Sequence, residues 1–286
     1  MSTIKNPLIS VIMSCYHSDK EYLKQAIESI LNQTYTNFEF LIANNGEEFD
    51  LEEFLKQFKD SRIKYIDNKT NIGPAKSFNN LETIAKGKYI ALQDHDDISL
   101  PNRLQIQQDE LDNNPILQSV SCLIHIFGTR EYDDGIAMEP EQVKEELIFW
   151  QPIKQPTYMK RKEFCNLYKQ NPNWFIGDYE FWSRTRKQPH KIINSRQLNY
   201  RKVASNSGPE RANNVRREHA LLVQRNLKWL NIEAPIELCQ MLDPFCHKKF
   251  SKKYVDLFKS YKDILLNEIS ESLYNRKLKE ISDKVK

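Results

Sequence analysis

Several features are scarce in this sequence of 286 residues, and each scarcity excludes a class of protein. Only 7 glycines and 5 cysteines occur, too few for a collagen-like chain or a disulfide scaffold. No run approaches the roughly 20 apolar residues of a membrane-spanning helix, and Met1 to Pro7 lack the apolar run of a secretion signal. The 42 basic and 39 acidic residues give a net charge of +3, which does not indicate nucleic acid as the main partner. Because 40% of the residues are apolar, we expect a cytoplasmic α/β enzyme with a sizeable core.

The cysteines do not form the closely spaced pairs that are typical of zinc sites. Cys239, Cys246 and His247 could be imagined as metal ligands. Burial as small apolar residues is the interpretation that we favour for all five cysteines, and it fits a reducing cytoplasm.

Strand and helix patterns alternate over the first hundred residues. Leu8–Ser14 and Phe38–Ala43 are apolar runs typical of strands buried on both faces, and Ile63–Ile66 and Tyr89–Leu92 continue the series. Strands linked by helices predict parallel pairing with right-handed crossovers. The functional site of such a sheet lies at the carboxyl ends of its strands, where we expect the polar residues that follow these runs to converge.

Local signals predict where further elements begin and end. Ser18 and Glu21 are spaced as a capping box, and Gly87 is placed as a helix C-cap. Later patterns predict a strand at 118–127, a loop at 132–140, a strand at 157–159 and helices at 162–168 and 179–186. After residue 208 the pattern is purely helical, so we predict a domain at 1–207 and a C-terminal helical extension at 208–286.

Three carboxylates, those of Asp94, Asp96 and Asp97, follow the fourth predicted strand within four residues. Like charges at short range raise one another's pKa, and a bound cation removes that repulsion. Mg²⁺ and Mn²⁺ prefer oxygen ligands, often one or two carboxylates together with phosphate oxygens. The cluster therefore indicates a site for a metal and a diphosphate; a solvated loop that caps a helix is the alternative.

A second acidic motif lies at Gly177–Trp182, where Asp178 stands among large aromatic side chains. A carboxylate that is partly desolvated by aromatic neighbours is suited to act as a general base. The alternative is an ordinary helix N-cap, for which Asp178 is also well placed.

The order of these motifs resembles that of a family 2 glycosyltransferase of the bacterial surface-polysaccharide type, with the GT-A fold. The resemblance covers about residues 7–205, and five segments carry it: Pro7–Met13 with Tyr16, Ala26–Tyr35, Asn71–Gly73 with Lys76 and Ala85–Ala91, Asp94–Asp96 at the DxD motif, and Asp178. It implies a Rossmann-like, mostly parallel sheet flanked by helices.

The resemblance also implies roles for individual residues. Tyr16 would stack on the nucleobase, Asn44 and Asn45 would contact base and ribose, and Lys76 would lie near the base or the diphosphate. Three departures from the family pattern concern the donor, the acceptor and the metal. Asn44 and Asn45 replace acids, Gly177 replaces a glutamate that precedes the base, and Val203 stands where a histidine is frequent.

For the acidic residues, the resemblance implies that Asp94 and Asp96 hold Mn²⁺ or Mg²⁺. Asp94 would also contact the ribose, and Asp97 would support the loop. Asp178 would be the catalytic base of an inverting transfer. Trp174 and Phe175 are candidates for contacting the acceptor, although packing explains Trp174 equally well.

Basic residues are concentrated in the C-terminal tail, Asp243–Lys286, which has 11 basic and 7 acidic residues and a net charge of +4. Its apolar stripe at helical spacing is Tyr254, Leu257, Phe258, Tyr261, Ile264 and Leu265. A basic amphipathic helix is suited to peripheral contact with the inner face of the cytoplasmic membrane. Packing on its own domain, or on a second copy in a homo-oligomer, is the alternative.

Together these observations predict an inverting, metal-dependent glycosyltransferase. We expect a nucleotide-sugar donor, UDP-hexose or UDP-N-acetylhexosamine, and an oligosaccharide or lipid-linked glycan acceptor in surface polysaccharide or lipooligosaccharide synthesis. A catalytically silent binding module or assembly partner of the same fold is the main alternative. A sugar-1-phosphate nucleotidyltransferase is disfavoured because Ser14–His17 lacks the glycine-rich loop expected after the first strand.

Overall fold

The computed structural model describes residues 8–203, 209–244 and 246–285. The chain forms two compact units, and both are discontinuous in sequence. The first unit comprises Met1–Pro140, Ile153–Pro172 and Gln188–Ala204, and the second comprises Glu141–Pro152, Asn173–Lys187 and Ser205–Lys286. Pro7 and the domain boundary predicted after residue 207 lie outside the described residues, and that boundary stays a prediction.

Nine strands of the described residues form one sheet in the first unit. They are β1 (Ile9–Cys15), β2 (Phe38–Asn44), β3 (Ile63–Asp67), β4 (Tyr89–Leu92), β5 (Ile98–Ser99), β6 (Ser119–Gly128), β7 (Tyr132–Asp134), β8 (Met159–Arg161) and β9 (His190–Lys202). The order is β3-β2-β1-β4-β8-β6-β9-β5, with β7 paired to β6. The pairs β3-β2, β2-β1, β1-β4 and β6-β9 are parallel, whereas β8 is antiparallel to both neighbours. The predicted α/β fold class is therefore confirmed, although the sheet is mixed rather than mostly parallel, because β5-β9 and β6-β7 are antiparallel as well.

Twelve α-helices lie in the described part of the chain. They are α1 (Lys20–Leu31), α2 (Leu51–Leu55), α3 (Pro74–Ile84), α4 (Arg103–Asn113), α5 (Pro140–Glu146), α6 (Lys162–Leu167), α7 (Gly177–Arg184), α8 (Pro209–Lys228), α9 (Ile236–Met241), α10 (Lys253–Ser260), α11 (Lys262–Leu265) and α12 (Glu271–Ser282). The helical character predicted after residue 208 is confirmed.

Helix α1 packs its apolar face into the core, with Leu23, Ala26, Ile27 and Ile30 fully buried. Its start differs from the predicted capping box. The N-cap is Asp19, whose side chain accepts hydrogen bonds from the N–H groups of Glu21 at 2.8 Å and Tyr22 at 3.1 Å.

Ser18 was the N-cap that the capping-box pattern predicted, but it does not cap the helix. Its N–H and hydroxyl both donate to the carboxylate of Glu47, in the loop after β2. That acceptor lies 29 residues away, so the local pattern did not reveal it.

Gly87 is not the C-cap of α3, which ends at Ile84 with Ala85 as its cap. A Cβ at Gly87 would lie 2.5 Å from the backbone nitrogen of Ser10, a distance that no side chain tolerates. The Gly87 N–H donates to the Ser10 hydroxyl at 2.8 Å. Glycine is required here because the chain passes close to the backbone of β1.

The later part of the first unit differs most from the predictions. The predicted loop at 132–140 contains β7 and the first residue of α5, and the strand predicted at 157–159 is replaced by a 3₁₀ turn at Gln155–Thr157 followed by β8. The long strand β9 was not predicted.

The second unit has a core of its own, built on Phe149, Tyr179 and the helices from α8 onwards. Most of the apolar stripe of the tail packs into this core: Phe258 and Leu265 are fully buried, and Tyr254, Leu257 and Tyr261 are partly buried, whereas Ile264 is 41% exposed. No helix in the described part of the chain combines the length and the apolar composition that crossing a membrane requires.

Candidate functional site

Three segments with predicted site residues leave the sheet at the same edge. Register pairing aligns Cys15, the last residue of β1, with Asn44, the last residue of β2. The Asn45 N–H donates to the Cys15 carbonyl at 2.9 Å. On the other side of β1, Leu92, the last residue of β4, is paired with Ile12. The residues that follow β1, β2 and β4 therefore lie at neighbouring strand ends, as parallel pairing predicts.

Asn44 holds the loop that follows it. Its Oδ1 accepts hydrogen bonds from the N–H groups of Gly46 at 3.0 Å and Glu47 at 2.9 Å, and its Nδ2 donates to the Tyr65 hydroxyl at 3.3 Å. An Asx side chain that bonds to the backbone two and three residues ahead stabilises a turn. The carboxamide oxygen of Asn44 is thus committed to loop geometry.

Asn45 joins this loop to the segment before α3. It is 2% exposed, and its Oδ1 accepts hydrogen bonds from the Ile72 N–H at 3.1 Å and from Asn68 Nδ2 at 3.3 Å. Its Nδ2 donates to Asn71 Oδ1 at 3.3 Å. Asn68 also donates to the Ser77 hydroxyl at 2.9 Å, so the network includes α3. These contacts are all with protein groups, and the predicted contact of Asn45 with a nucleotide stays a prediction.

Tyr16 and Lys76 are the accessible members of the predicted donor set. Tyr16 is 41% exposed and its ring centroid lies 4.0 Å from that of His17. Lys76 is exposed in the first turn of α3, which begins with Pro74 after Gly73 in the left-handed region. Both side chains are exposed, so a ligand bound at the carboxyl ends of the neighbouring strands could contact them.

The acid cluster is a tight bend in which Asp94 and Asp96 are partly exposed and Asp97 is fully buried. Asp97 Oδ1 accepts a hydrogen bond from the backbone N–H of Arg201 at 2.7 Å. Its Oδ2 is buried and has no hydrogen-bond partner among the described residues. Burial raises the pKa of Asp97 well above its usual range, and the charges of Asp94 and Asp96 raise it further.

Arg201 of β9, more than a hundred residues later in the sequence, holds this bend in place. Besides its backbone contact with Asp97, its Nε donates to the carbonyl oxygen of Asp96 at 2.9 Å. Its Nη2 donates to Gln25 Oε1 at 2.6 Å, and its guanidinium carbon lies 4.0 Å from the ring centroid of Tyr22. The sequence did not indicate this role for Arg201, which lies two residues before Val203.

Arg103 supports the same bend from beneath and is fully buried. Its guanidinium donates to the Leu92 carbonyl at 2.6 Å, to Gln93 Oε1 at 3.0 Å and to the Ser99 hydroxyl at 2.9 Å. Gln93 in turn donates to the carbonyl oxygen of Asp97 at 2.8 Å. Nothing in the local sequence distinguished Arg103 from a surface arginine of an amphipathic helix.

The carboxylates at the bend fit a hard divalent cation whose remaining ligands come from phosphate oxygens and water. No three His, Cys, Asp or Glu side chains of the described residues are grouped to hold a metal ion by themselves. Mg²⁺ is usually held by one or two carboxylates together with phosphate oxygens and water, and Asp94 and Asp96 supply such carboxylates. The buried, unpartnered oxygen of Asp97 is a further acceptor beside them.

Asp178 belongs to the second unit and lies in the first turn of α7. The helix begins at Gly177 with Ile176 as N-cap, so Asp178 does not cap it. Gln151 Nε2 donates to Asp178 Oδ2 at 3.1 Å, and the Tyr179 N–H donates to Oδ1 at 2.8 Å. Burial raises the pKa of Asp178, although both hydrogen bonds lower it. This is the environment of a carboxylate that accepts a proton more readily than an exposed one.

The predicted acceptor residues precede Asp178 in the same unit. Phe175 is 50% exposed, and Trp174 is partly buried against the core. The Phe175 and Ile176 N–H groups donate to Glu218 Oε2 at 2.7 and 3.0 Å, which fixes this segment against α8. An exposed aromatic ring on a fixed backbone is suited to stacking on a sugar, which the sequence also indicated.

Comparisons with known proteins agree with this architecture. The family model described as Glycosyl transferase family 2 matches residues 10–186. The crystal structure of S. aureus TarS 1–349 in complex with UDP-GlcNAc is similar with a TM-score of 0.63, at 14% identity, covering 96% of this chain and 88% of that one. At that identity the likeness shows the fold alone, and it supports the GT-A fold.

Two relatives show similarity at the level of sequence. An uncharacterized glycosyltransferase of Methanocaldococcus jannaschii is 35% identical over 208 residues, which are 68% of this chain and 71% of that protein. The UDP-Glc:alpha-D-GlcNAc-diphosphoundecaprenol beta-1,3-glucosyltransferase WfgD of Escherichia coli is 35% identical over 100 residues, which are 35% of this chain and 39% of the enzyme.

Proposed function

Because the chain belongs to glycosyl transferase family 2, we propose that it is an inverting, metal-dependent transferase that moves a sugar from a nucleotide-sugar to a glycan acceptor. The observation that carries this proposal is the acid bend, whose carboxylates are clamped at the carboxyl end of β4 with one buried oxygen left unpartnered. UDP-hexose or UDP-N-acetylhexosamine is the favoured donor. The UDP-GlcNAc complex of TarS and the name of the E. coli relative support that choice.

The donor would lie over the ends of β1, β2 and β4. Tyr16 offers an exposed ring for stacking on the base, a contact of order 1 kcal/mol. The loop held by Asn44 and Asn45 would face base and ribose through its backbone and free amide hydrogens, and Lys76 would neutralise part of the diphosphate charge.

Asp94 and Asp96 would hold Mn²⁺ or Mg²⁺, with Asp94 also near the ribose and Asp97 supporting the bend. When bound, the ion supplies Lewis-acid stabilisation of the charge on the departing nucleoside diphosphate. The chain's own contribution is to hold the carboxylates in place, and Arg201 and Arg103 do so through the contacts described above.

Asp178 would take the proton from the acceptor hydroxyl as that oxygen attacks the anomeric carbon. Its raised pKa favours this, because a base nearer to neutral pH accepts a proton with less cost. Direct displacement by the acceptor inverts the anomeric configuration. Phe175 and Trp174 would contact the acceptor, which we propose to be an oligosaccharide or lipid-linked glycan of bacterial surface polysaccharide or lipooligosaccharide synthesis.

The packing of the tail changes how membrane contact would occur. Most of its apolar stripe is buried inside the second unit, whereas Lys252, Lys253, Lys259 and Lys262 remain exposed. A peripheral association with anionic lipid at the inner face of the cytoplasmic membrane would therefore rest on charge and weaken steeply with salt. Deleting residues 248–286 would remove part of the core, so charge-reversed lysines are the better test in liposome co-sedimentation.

Two variants test the proposed chemistry separately. Asp96→Ala should abolish manganese-dependent UDP binding in titration calorimetry, while Asp109→Ala, an exposed aspartate of α4, should bind as the wild type does. Asp178→Asn should retain donor binding but transfer sugar at least about 10² times more slowly. Asp263→Asn, at an exposed position of the second unit, is its control.

The alternative function is a catalytically silent binding module of this fold. The binding and transfer measurements distinguish it from a transferase, because a silent module would bind the nucleotide-sugar without transferring the sugar. Nucleotide-sugars screened with and without manganese for protection against thermal unfolding would identify the donor. Binding without transfer to any glycan acceptor, or wild-type turnover by Asp178→Asn, would contradict the proposal.

A further inference from the structure

A cleft of about 290 Å³ lies within the second unit, and none of the residues that line it is assigned to the donor, the metal or the base. It is lined by Ser183, Arg184, Arg186, Lys187, Trp229, Leu230 and Glu268. Ligand sites occupy roughly 300–1,000 Å³, so this cleft is of a size for a single small ligand such as a monosaccharide.

One of the cationic side chains that line the cleft, Arg186, has a nitrogen that makes no hydrogen bond to the described residues. Arg186 is 3% exposed, and its Nη2 donates to Glu268 Oε2 at 3.2 Å. Its Nη1 is buried and has no hydrogen-bond partner among the described residues. Leaving a buried donor unsatisfied costs about 1–3 kcal/mol, and more for a charged group. Arg186 lines the cleft, so a small movement of its side chain that brought Nη1 to an acceptor oxygen bound there would recover that cost.

The rest of the lining suits an anionic sugar. Lys187 is exposed at the cleft, and Glu268 is the one carboxylate among the residues that line it. Trp229 is 47% exposed, and the guanidinium carbon of Arg225 lies 4.4 Å from its ring centroid. The indole therefore has both an accessible apolar surface, on which a sugar ring can pack, and a cationic neighbour.

We propose that this cleft binds a phosphate group carried by a saccharide, with the phosphate held by Arg186 and Lys187 and the sugar against Trp229. Guanidinium and ammonium groups are the usual partners of phosphate, and the fork of an arginine can meet two of its oxygens at once. The proposal is independent of the proposed function, since a phosphorylated glycan could be recognised here whatever reaction occurs elsewhere.

Purely structural ion pairing is the competing explanation for the same arginines. Arg184 Nε lies 2.9 Å from Glu180 Oε1, and Arg186 contacts Glu268, so both stabilise the unit without any ligand. That explanation gives no role to Lys187, whose side chain is therefore the sharpest probe.

The test is titration calorimetry of the full chain with glucose 6-phosphate, glucose, glucuronate and inorganic phosphate, with and without saturating UDP and manganese. We expect glucose 6-phosphate to bind with one-to-one stoichiometry in both conditions, more tightly than the other three probes. Lys187→Gln should weaken it about tenfold, the loss of one charge-assisted hydrogen bond. Lys228→Gln is the matched control, because Lys228 adjoins Trp229 in sequence but does not line the cleft and is 71% exposed.

Trp229→Ala adds a second readout, since it should weaken glucose 6-phosphate more than inorganic phosphate. Four results would overturn the proposal: no binding of glucose 6-phosphate, equal binding of glucose, equal losses in the Lys187 and Lys228 variants, and complete displacement by UDP. The last would place the sugar phosphate in the donor site. Loss of UDP binding alone would count against the proposed function and leave this site unaffected.

Discussion

Asn44 and Asn45, at the end of β2, can each be replaced by aspartate to test the hydrogen bonds assigned to them. Aspartate is nearly isosteric with asparagine, and it is the residue that the family resemblance leads one to expect at both positions. Asn44→Asp should be tolerated. Its new carboxylate keeps the two acceptor contacts with Gly46 and Glu47, and the Tyr65 hydroxyl can rotate to donate to it instead of accepting. We expect a change in unfolding free energy within about 0.5 kcal/mol.

Asn45→Asp should be costly, although the change is chemically the same. Asn45 is 2% exposed, and its Nδ2 donates to Asn71 Oδ1, so a carboxylate would set two acceptors against each other at 3.3 Å. Asn71 cannot turn its amide around freely, because that oxygen also accepts from the Gly73 N–H at 2.9 Å. A lost bond and a buried, unpaired charge together destabilise by about 2–3 kcal/mol.

Urea unfolding of the two variants at neutral pH measures this difference. With a slope of about 2 kcal/mol per molar urea, Asn45→Asp should lower the midpoint by more than 1 M, and Asn44→Asp should leave it nearly unchanged. Burial raises the pKa of the new carboxyl in the folded state, and once protonated it can donate to Asn71. The penalty should therefore shrink as the pH falls towards about 4, the pKa of an unfolded aspartate. Equal midpoints, or a penalty that grows in acid, would refute the assigned network.

The remaining predictions concern packing and the support of the site. Lys160→Met should cost about 3–5 kcal/mol in urea unfolding because it leaves the fully buried Glu82, 2.7 Å away, without its main partner; adding Glu82→Leu should restore most of that loss. Arg201→Lys removes the side-chain contact with the Asp96 carbonyl while keeping the backbone contact with Asp97, and should raise the manganese concentration needed for half-maximal UDP binding at least about threefold without shifting the unfolding midpoint by more than about 0.5 M. An unchanged manganese requirement would contradict the supporting role of the Arg201 side chain at Asp96. Burial lowers the pKa of His219 to about 4, so the unfolded state takes up its proton first and stability should fall by up to about 3 kcal/mol between pH 6.5 and 4; His219→Leu should flatten that part of the profile.

The first half of the fold was predictable from the sequence because its elements are defined by local patterns. Strands buried on both faces, such as Ile9–Cys15 and Phe38–Asn44, are continuous apolar runs, and α1 repeats its apolar residues at helical spacing. Parallel pairing follows from the helical connections. It then brings the residues after Cys15, Asn44 and Leu92 to one edge of the sheet, which is the part of the site that the sequence could supply.

The later elements were not predictable in the same way. β9 reads HKIINSRQLNYRK, a mostly polar strand in which Arg196 is exposed and Asn199 to Lys202 are only partly buried, and its partner β6 lies more than 60 residues earlier. Tertiary pairing, rather than local propensity, decides its conformation. The second unit likewise takes in Glu141–Pro152 and Asn173–Lys187, which no change of composition marks.

The residues that hold the acid bend in place could not be predicted from the sequence. Their contacts affect how a cation would bind there. The bend at Asp94–Asp97 carries repelling carboxylates, yet its backbone is fixed by Arg201 from β9 and, through Gln93, by Arg103 from α4. A cation that meets carboxylates already in place does not have to order the loop, so less of its binding energy is lost to conformational entropy. Burial and the neighbouring charges of Asp94 and Asp96 raise the pKa of Asp97, while hydrogen bonds from the Arg201 N–H and from Gln93 hold its part of the bend in place. A cation bound at the bend would offset its like charges, so the affinity of such a site would depend on contacts made by Arg201, more than a hundred positions away along the chain.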